Sequence, residues 1–178
     1  MKRISVVGNS GSGKSTLARR LSARLGLPRL ELDSVMHQPN WTPIADDEFR
    51  ARVSTFMEAT PGWVIDGNYP VVRDAVWWAA DTVVWLDPPR LANMRAVIGR
   101  TVVRLLTRRT LWNGNRERWS NLFRLDPEAS VIAWAWRHHG ARRAELGEAM
   151  KNPRWGHLAF VHLADRAATA RWLASLKP

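Results

Sequence analysis

The sequence contains no cysteine and only one tyrosine, against 11 tryptophans. Without cysteine the chain can form neither a disulfide framework nor a thiolate metal site, so the reducing cytoplasm is the expected compartment. No uninterrupted apolar segment approaches the ~20 residues of a membrane-spanning helix, and we therefore expect a soluble protein with no membrane partner. The apolar run at residues 4–7 is too short for the core of a signal peptide and is expected to form a strand.

Acidic residues are scarce relative to basic ones, 16 against 27, which gives a formal net charge of +11. Such an excess favours anionic partners, including nucleotides and nucleic acids, without choosing among them. The length of 178 residues suits one domain, which we place at residues 1–178. Some of the tryptophans are expected in its core, because so many exposed large rings would promote association.

Short apolar runs alternate with longer segments of helical periodicity, a pattern typical of a mostly parallel sheet covered by helices. The predicted strands are residues 4–7, 30–32, 63–65, 82–86 and 158–163. The predicted helices are residues 14–25, 46–58, 90–109, 127–150 and 166–176. The sequence therefore predicts the α/β class.

Residues 8–16 read GNSGSGKST and contain the pattern G-x-x-x-x-G-K-[ST] between the first predicted strand and the first predicted helix. Glycines in such a loop allow backbone N–H groups to surround phosphate oxygens, and the helix N-terminus adds partial positive charge. Lys14 is expected to reach the β and γ phosphates of ATP, and Ser15 to bind Mg²⁺. The residues predicted to bind the nucleotide in this loop are Gly8, Asn9, Ser10, Gly11, Ser12, Gly13, Lys14, Ser15 and Thr16.

The rest of the chain narrows the class of P-loop protein. It contains no guanine-binding Asn-Lys-x-Asp sequence, which argues against a GTPase. It is also short for a motor or an AAA-type ATPase, which needs more machinery for coupling. A small phosphotransferase fits best.

Polar residues follow the second predicted strand, at the sheet edge where ligands of parallel α/β proteins bind. Asp33 is a candidate to orient or deprotonate an acceptor hydroxyl, His37 to hydrogen-bond the acceptor, and Trp41 to stack on a planar group. In the alternative interpretation, Asp33 caps a short helix and Trp41 packs on the core.

Asp66 and Gly67 follow directly after the third predicted strand. An acid at this position can hold Mg²⁺ through water, as a Walker B carboxylate does, and the glycine would let backbone approach a ligand. The alternative is an ordinary Asp-Gly turn. The predicted metal ligands are Ser15 and Asp66. The predicted acceptor-binding residues are Asp33, His37, Trp41, Asp66, Gly67, Asn68, Tyr69 and Arg73.

Arginines dominate the segment after the fourth predicted strand. Arg100, Arg104 and Arg108 repeat every four residues, share a helical face, and are predicted to act in catalysis with Lys14 and Asp33. Residues 107–124 fit neither period and surround a turn at residues 113–115, which predicts a mobile, helical, arginine-rich lid at about residues 107–126 that includes Arg109 as a nucleotide ligand. Arginine forks suit phosphoryl oxygens. The alternative is a solvated basic face.

Four segments together resemble a known group: GNSGSGKST, LELDSVMHQPNW, WVIDGNY, and ADTVVWLDPPR with the arginine-bearing segment after it. They resemble the adenylate-kinase-like P-loop kinases, most closely the small bacterial topology-modulation proteins, over nearly the whole chain. The resemblance implies a three-layer P-loop NTPase sandwich with a five-stranded sheet and a lid, ATP phosphates at residues 8–16, and an acceptor region at Asp33. The resemblance matches Asp66-Gly67 to the Asp-Gly pair that follows the third strand in adenylate kinases. The sequence departs from them after Gly67, where Asn68-Tyr69-Pro70 replaces Phe-Pro-Arg.

Three functions remain open from the sequence. The first is an ATP-dependent kinase of a nucleotide or another small metabolite, using Mg²⁺ and in-line transfer. The second is a nucleic-acid-associated ATPase or polynucleotide kinase, suggested by the net charge and by Trp112 and Trp119 between arginines. The third is a nucleotide-binding switch without turnover.

Overall fold

A parallel sheet of five strands forms the centre of the protein in a computed structural model. The structure describes residues 1–108, 110–117 and 131–176, and for residues 131–135 it describes the backbone only. Every neighbouring pair is parallel, in the order β2-β3-β1-β4-β5. The predicted parallel sheet is confirmed, and the fourth strand has the predicted bounds. The strands are Arg3–Gly8 (β1), Arg29–Glu31 (β2), Trp63–Asp66 (β3), Thr82–Leu86 (β4) and Ala159–Leu163 (β5).

Helices connect the strands. The described helices are Lys14–Leu25 (α1), Leu32–Met36 (α2), Asp46–Glu58 (α3), Pro70–Ala79 (α4), Arg90–Leu106 (α5), Val131–Lys151 (α6) and Arg166–Ser175 (α7). Short 3-10 turns lie at Pro39–Trp41, Trp112–Gly114 and Pro153–Trp155. The bounds of α1 and α3 agree with the prediction. The short helix of the alternative interpretation is present as α2, whereas α4 was not predicted, although Pro70 in its first turn is a known helix-start signal.

The sheet lies between two layers of helices, each with its own apolar cluster. On one side, α1 and α7 pack on β1, β3 and β4 through residues such as Leu21 and Val64. On the other side, α3, α4 and α6 cover the sheet around Trp63 and Trp77, whose exposed fractions are 0% and 1%. The expectation that some tryptophans lie in the core is therefore confirmed. Among the described helices, none is both long enough and apolar enough to cross a membrane.

The end of α5 corrects one prediction. The helix stops at Leu106, and the next two amides donate to Val103 O at 2.9 Å and to Leu105 O at 3.3 Å, which tightens the last turn. Arg108 follows with a φ of 47°, outside the helix. Arg100 and Arg104 therefore share a helical face, whereas the prediction that Arg108 continues it was wrong.

Other predictions about this part of the chain fall on residues that the structure does not describe. They are the nucleotide-binding role of Arg109, the part of the predicted lid after residue 117, and the start of the helix predicted at residues 127–150.

Candidate active site

The loop between β1 and α1 has the geometry that its glycines predict. Gly11 has a φ of 82°, and a Cβ atom there would lie 2.5 Å from the carbonyl oxygen of Asn93, so the close approach of α5 requires glycine. Gly13 precedes α1 with a φ of 98° and no capping side chain. The first-turn N–H groups of such a helix are suited to binding an anion.

Lys14 lies at the centre of the site. Its Nζ donates a hydrogen bond to Asn9 O at 3.0 Å. Burial lowers the pKa of Lys14 to about 8, while the nearby carboxylates of Asp33 and Asp66 act in the opposite direction. Lys14 thus interacts electrostatically with both predicted site acids, one from each of two chain segments.

A cluster of oxygen donors lies beside the loop, which we call the carboxylate cluster: Ser15, Glu31 and Asp66. Ser15 Oγ donates to Glu31 Oε1 at 2.9 Å, and Glu31 is the register partner of Asp66 at the ends of β2 and β3. Burial raises the pKa of Asp66 to about 6, and the charge of Glu31 adds to the rise. A hydroxyl and two carboxylates are hard oxygen ligands of the kind that Mg²⁺ prefers.

The carboxylate cluster is an incomplete metal site by itself. Within the described parts of the chain, no group of three or more His, Asp or Glu side chains is arranged to hold a metal ion. Magnesium in phosphate-transfer proteins keeps waters and binds phosphate oxygens besides one or two carboxylates, so this donor set fits a metal that arrives with a nucleotide. The sequence analysis missed Glu31, although its place two residues before Asp33 at a strand end was a usable signal.

Asp33 lies in the first turn of α2. The N-cap position belongs to Glu31, so the alternative in which Asp33 caps the helix is not observed. Tyr69, the only tyrosine, donates its hydroxyl to Asp33 Oδ1 at 2.6 Å, and the same hydroxyl is 3.4 Å from His37 Nε2. Burial, together with the charge of Asp33, raises the pKa of Tyr69. Residues that follow β2 and β3 in the chain thus form one hydrogen-bonded group.

A cleft opens next to this group, between the ends of β1 and β3 and the helices α4 and α6. Arg142 of α6 reaches into it and donates to Asn68 O at 3.0 Å. Asn68 also binds the phosphate loop, since its Oδ1 accepts from Gly8 N at 3.2 Å. Arg73 forms an ion pair with Glu145. Arg142 was not among the predicted site residues, because its approach depends on how α6 packs.

Gly67 has a packing reason to be glycine. Its φ is 147°, and a Cβ atom there would lie 2.7 Å from Leu32 Cβ. The residue therefore allows β3 and the start of α2 to approach closely, which keeps Asp66 and Asp33 near each other.

Residues 110–117, which we call the lid loop, contact the segment after Asp33. Asn113 Nδ2 donates to Ser34 O at 3.1 Å and to His37 O at 2.6 Å. Asn115 Nδ2 donates to Gln38 O at 2.8 Å, and its Oδ1 accepts from Trp41 N at 2.9 Å. These bonds join the lid loop to the predicted acceptor region.

The aromatic rings at this contact pack on each other. Trp41 lies edge-on to His37 at 5.4 Å and to Trp112 at 6.3 Å, measured between ring centroids. Trp41 therefore packs against the lid loop. The alternative interpretation, in which Trp41 packs on the core, is not observed. The ring of Trp112 also stacks on His37 at 6.0 Å. The ring of Trp112, which suggested base stacking in the sequence, thus packs on His37 and Trp41 of the same chain.

The predicted catalytic arginines approach the site to different degrees. Arg104 forms an ion pair of 3.3 Å with Glu117 of the lid loop. Removal from water and the charge of Arg104 lower the pKa of Arg100, and the charges of Asp33 and Glu117 oppose this shift. Part of the Arg100 surface stays exposed. Arg108 is exposed beyond the end of α5.

The parallel sheet, the helices on both faces and the glycine loop before α1 define a P-loop NTPase domain. Residues 4–144 match the family described as AAA domain, and the chain belongs to that family.

Two kinases are similar in sequence. The shikimate kinases of Mycobacterium avium (strain 104) and Mycolicibacterium paratuberculosis (strain ATCC BAA-968 / K-10) are each 34% identical over 116 residues, which cover 57% of this chain. The match spans 65% of the length of each of these relatives, just under two thirds.

The solved structures that match this chain include two kinases. The shikimate kinase from Acinetobacter baumannii, in complex with shikimate, has a TM-score of 0.54 at 16% identity, with 98% of this chain and 89% of that chain covered. A gluconokinase from Sinorhizobium meliloti 1021 has a TM-score of 0.48 at 19% identity, with 97% and 94% covered. At this identity the likeness to the shikimate kinase shows the shared fold.

Proposed function

We propose that the protein is an ATP-dependent kinase that transfers a phosphoryl group to a hydroxyl of a nucleotide or another small metabolite. One observation carries the proposal: Ser15 of the phosphate loop donates to Glu31 Oε1 at 2.9 Å, and Asp33 follows Glu31 by two residues in the first turn of α2. A donor phosphate bound at the loop and an acceptor hydroxyl bound to Asp33 would therefore approach each other from neighbouring segments. The kinase names of the sequence relatives support this proposal.

On the donor side, residues 8–16 would surround the phosphates of ATP with backbone N–H groups. Mg²⁺ bound with ATP neutralises charge that develops on the phosphate oxygens. Ser15, Glu31 and Asp66 would hold this ion. Lys14 would bind the same phosphates from the helix N-terminus, where its charge adds to that of the helix dipole.

On the acceptor side, Asp33 would accept a hydrogen bond from the acceptor hydroxyl and orient or deprotonate it. Arg100 and Arg104 would stabilise charge on the transferred group. Arg108 and Arg109 remain predicted contributors from the lid, which would exclude water when closed.

The cleft lined by Tyr69, whose hydroxyl donates to Asp33, suggests the chemistry of the acceptor. Arg142 and Asn68 line it close to Tyr69, so an anionic group has a cationic partner a short distance from the reacting hydroxyl. A small hydroxylated acid, such as the shikimate of the relatives' name, is the first candidate. A nucleoside monophosphate is the second, supported by the Asp66-Gly67 pair that adenylate kinases share. Arg73 lines the same cleft, and His37 and Trp41 would contact the acceptor from the segment after α2.

The test is a screen for ADP release with each acceptor and without any. Shikimate, gluconate, AMP and the other nucleoside monophosphates form the first panel, with the Lys14→Ala variant as the background. We expect acceptor-dependent ADP release together with a phosphorylated product in ³¹P NMR, and loss of both in Lys14→Ala with the fold retained. ADP release that is indifferent to every acceptor would count against a kinase. Tight ATP binding without single-turnover transfer would favour the nucleotide switch instead.

A further inference from the structure

Arg29 contacts the carboxylate cluster, although it belongs to no motif found in the sequence. It lies in β2 two residues before Glu31, so the two side chains extend from the same face of the sheet. Arg29 Nη1 is 3.2 Å from Asp66 Oδ1 and 3.4 Å from Glu31 Oε2. One guanidinium nitrogen therefore bridges the two carboxylates.

The burial of this group makes the charge of Arg29 significant. The side chain of Asp66 is 2% exposed and that of Glu31 is 17% exposed. Two carboxylates held side by side with so little water repel each other, and a pair of this kind attracts a divalent cation. The guanidinium offsets one of the two negative charges and fixes the side-chain oxygens that it contacts.

We propose that Arg29 is a positioning residue that holds Glu31 and Asp66 in place and weakens their affinity for a free divalent cation, so that the metal binds only together with nucleotide phosphates. The inference rests on the proposed function, because that proposal assigns Mg²⁺ to the carboxylate cluster. Phosphate oxygens of the nucleotide supply negative charge to the metal in place of the carboxylate charge that Arg29 offsets. The protein would thus take up metal and nucleotide as a unit.

The experiment measures Mn²⁺ binding to the nucleotide-free protein by electron paramagnetic resonance of the free ion. For the wild type we expect no site tighter than about 1 mM, the weak end for protein sites with few charged ligands. In Arg29→Met we expect affinity for Mn²⁺ at least about tenfold higher. That is the change expected from one elementary charge about 6 Å from a divalent ion in a water-like dielectric.

Matched variants separate the charge of Arg29 from its other contributions. Arg29→Lys keeps the charge and is expected to bind Mn²⁺ as weakly as the wild type. Arg52→Met removes an arginine that pairs with Glu48 on an exposed face of α3, and it is expected to change nothing. Adding Glu31→Gln to Arg29→Met is expected to abolish the gain, which would locate the bound ion at the carboxylate cluster. Melting curves with and without Mg²⁺ give a second readout, in which Arg29→Met alone is stabilised.

Two results would overturn the inference. One is wild-type protein that binds Mn²⁺ tightly without nucleotide, a measurement that does not depend on the folding of any variant. The other is a folded Arg29→Met variant with unchanged or weaker Mn²⁺ affinity. Calorimetry of ADP binding with and without Mg²⁺ distinguishes these failures from a failure of the proposed function. If the wild-type protein binds no nucleotide, the proposed function fails, but the Mn²⁺ affinities of the nucleotide-free proteins still test the role of Arg29.

Discussion

Docking of the lid loop on the acceptor region depends on Asn115. Its side chain is buried, 4% exposed, and its amide both donates to Gln38 O and accepts from the backbone N–H of Trp41. The Asn115→Ala substitution removes both hydrogen bonds and leaves the opposing groups to find other partners. We predict that the lid loop then docks less firmly while the P-loop and the sheet remain unchanged.

The size of the effect follows from the two bonds. Each hydrogen bond contributes about 1 kcal/mol net, so the docked state loses about 2 kcal/mol. Because about 1.4 kcal/mol corresponds to a factor of ten, the ratio of docked to undocked lid loop falls by about 30-fold. Asn113 keeps its own two bonds to the same segment, so docking is weakened and not lost.

Hydrogen exchange measures this without any assumption about the reaction. The backbone amide of Trp41 is bonded to the Asn115 side chain, and its exchange should accelerate by up to about 30-fold in Asn115→Ala. For an acceptor found in the screen, kcat/KM should fall while the Kd of ATP stays the same. Asn152→Ala is the control, because it removes an exposed asparagine side chain that caps the 3-10 turn at Pro153–Trp155 and makes no hydrogen bond to the lid loop. Unchanged exchange at residues 38–41 together with unchanged kcat/KM would refute the docking argument.

Three further substitutions test other parts of the structure. Asp33→Asn should lower kcat by about 100-fold or more, as expected for loss of a group that orients or deprotonates the acceptor, without changing the Kd of ATP in calorimetry. Tyr69→Phe removes a hydrogen bond to a carboxylate and should lower acceptor kcat/KM about tenfold, with the Kd of ATP again unchanged. Burial raises the pKa of Asp81, but hydrogen bonds from the Thr82 hydroxyl and from the N–H groups of Arg3 and Lys2 lower it overall. The stability that Asp81 contributes is therefore lost as the pH falls below about 4, and urea unfolding should show a flatter acid limb for Asp81→Asn.

Local chemistry explains which elements were predictable. The bounds of α1 depend on Gly13 and Gly26, both in the left-handed region, and those of α3 on its acidic first turn, so neighbouring residues decide them. The phosphate loop was found for the same reason. The end of α5 was misjudged because arginine spacing continues through Arg108, whereas the backbone leaves the helical conformation at Arg108, with a φ of 47°.

Contacts between distant segments explain what was missed. Asn113 binds backbone carbonyls that lie 76 and 79 residues earlier in the chain. Asn115 binds one that lies 77 residues earlier. Arg142 binds the carbonyl of Asn68, 74 residues before it. Neither periodicity nor composition encodes such partners, because they follow from how the lid loop and α6 pack.

The junction between β2 and α2 shows how a short segment supplies both halves of the candidate site. Glu31 is the last residue of the strand and Leu32 the first of the helix, with no loop between them. If the strand continued, Glu31 and Asp33 would point to the same face of the sheet. Because the backbone changes to a helix after Glu31, the first carboxylate meets Ser15 and the second meets Tyr69. In the proposed reaction, the position of this junction therefore directs Glu31 to the metal and Asp33 to the acceptor. The residue types alone do not distinguish these two roles, because both residues carry a carboxylate.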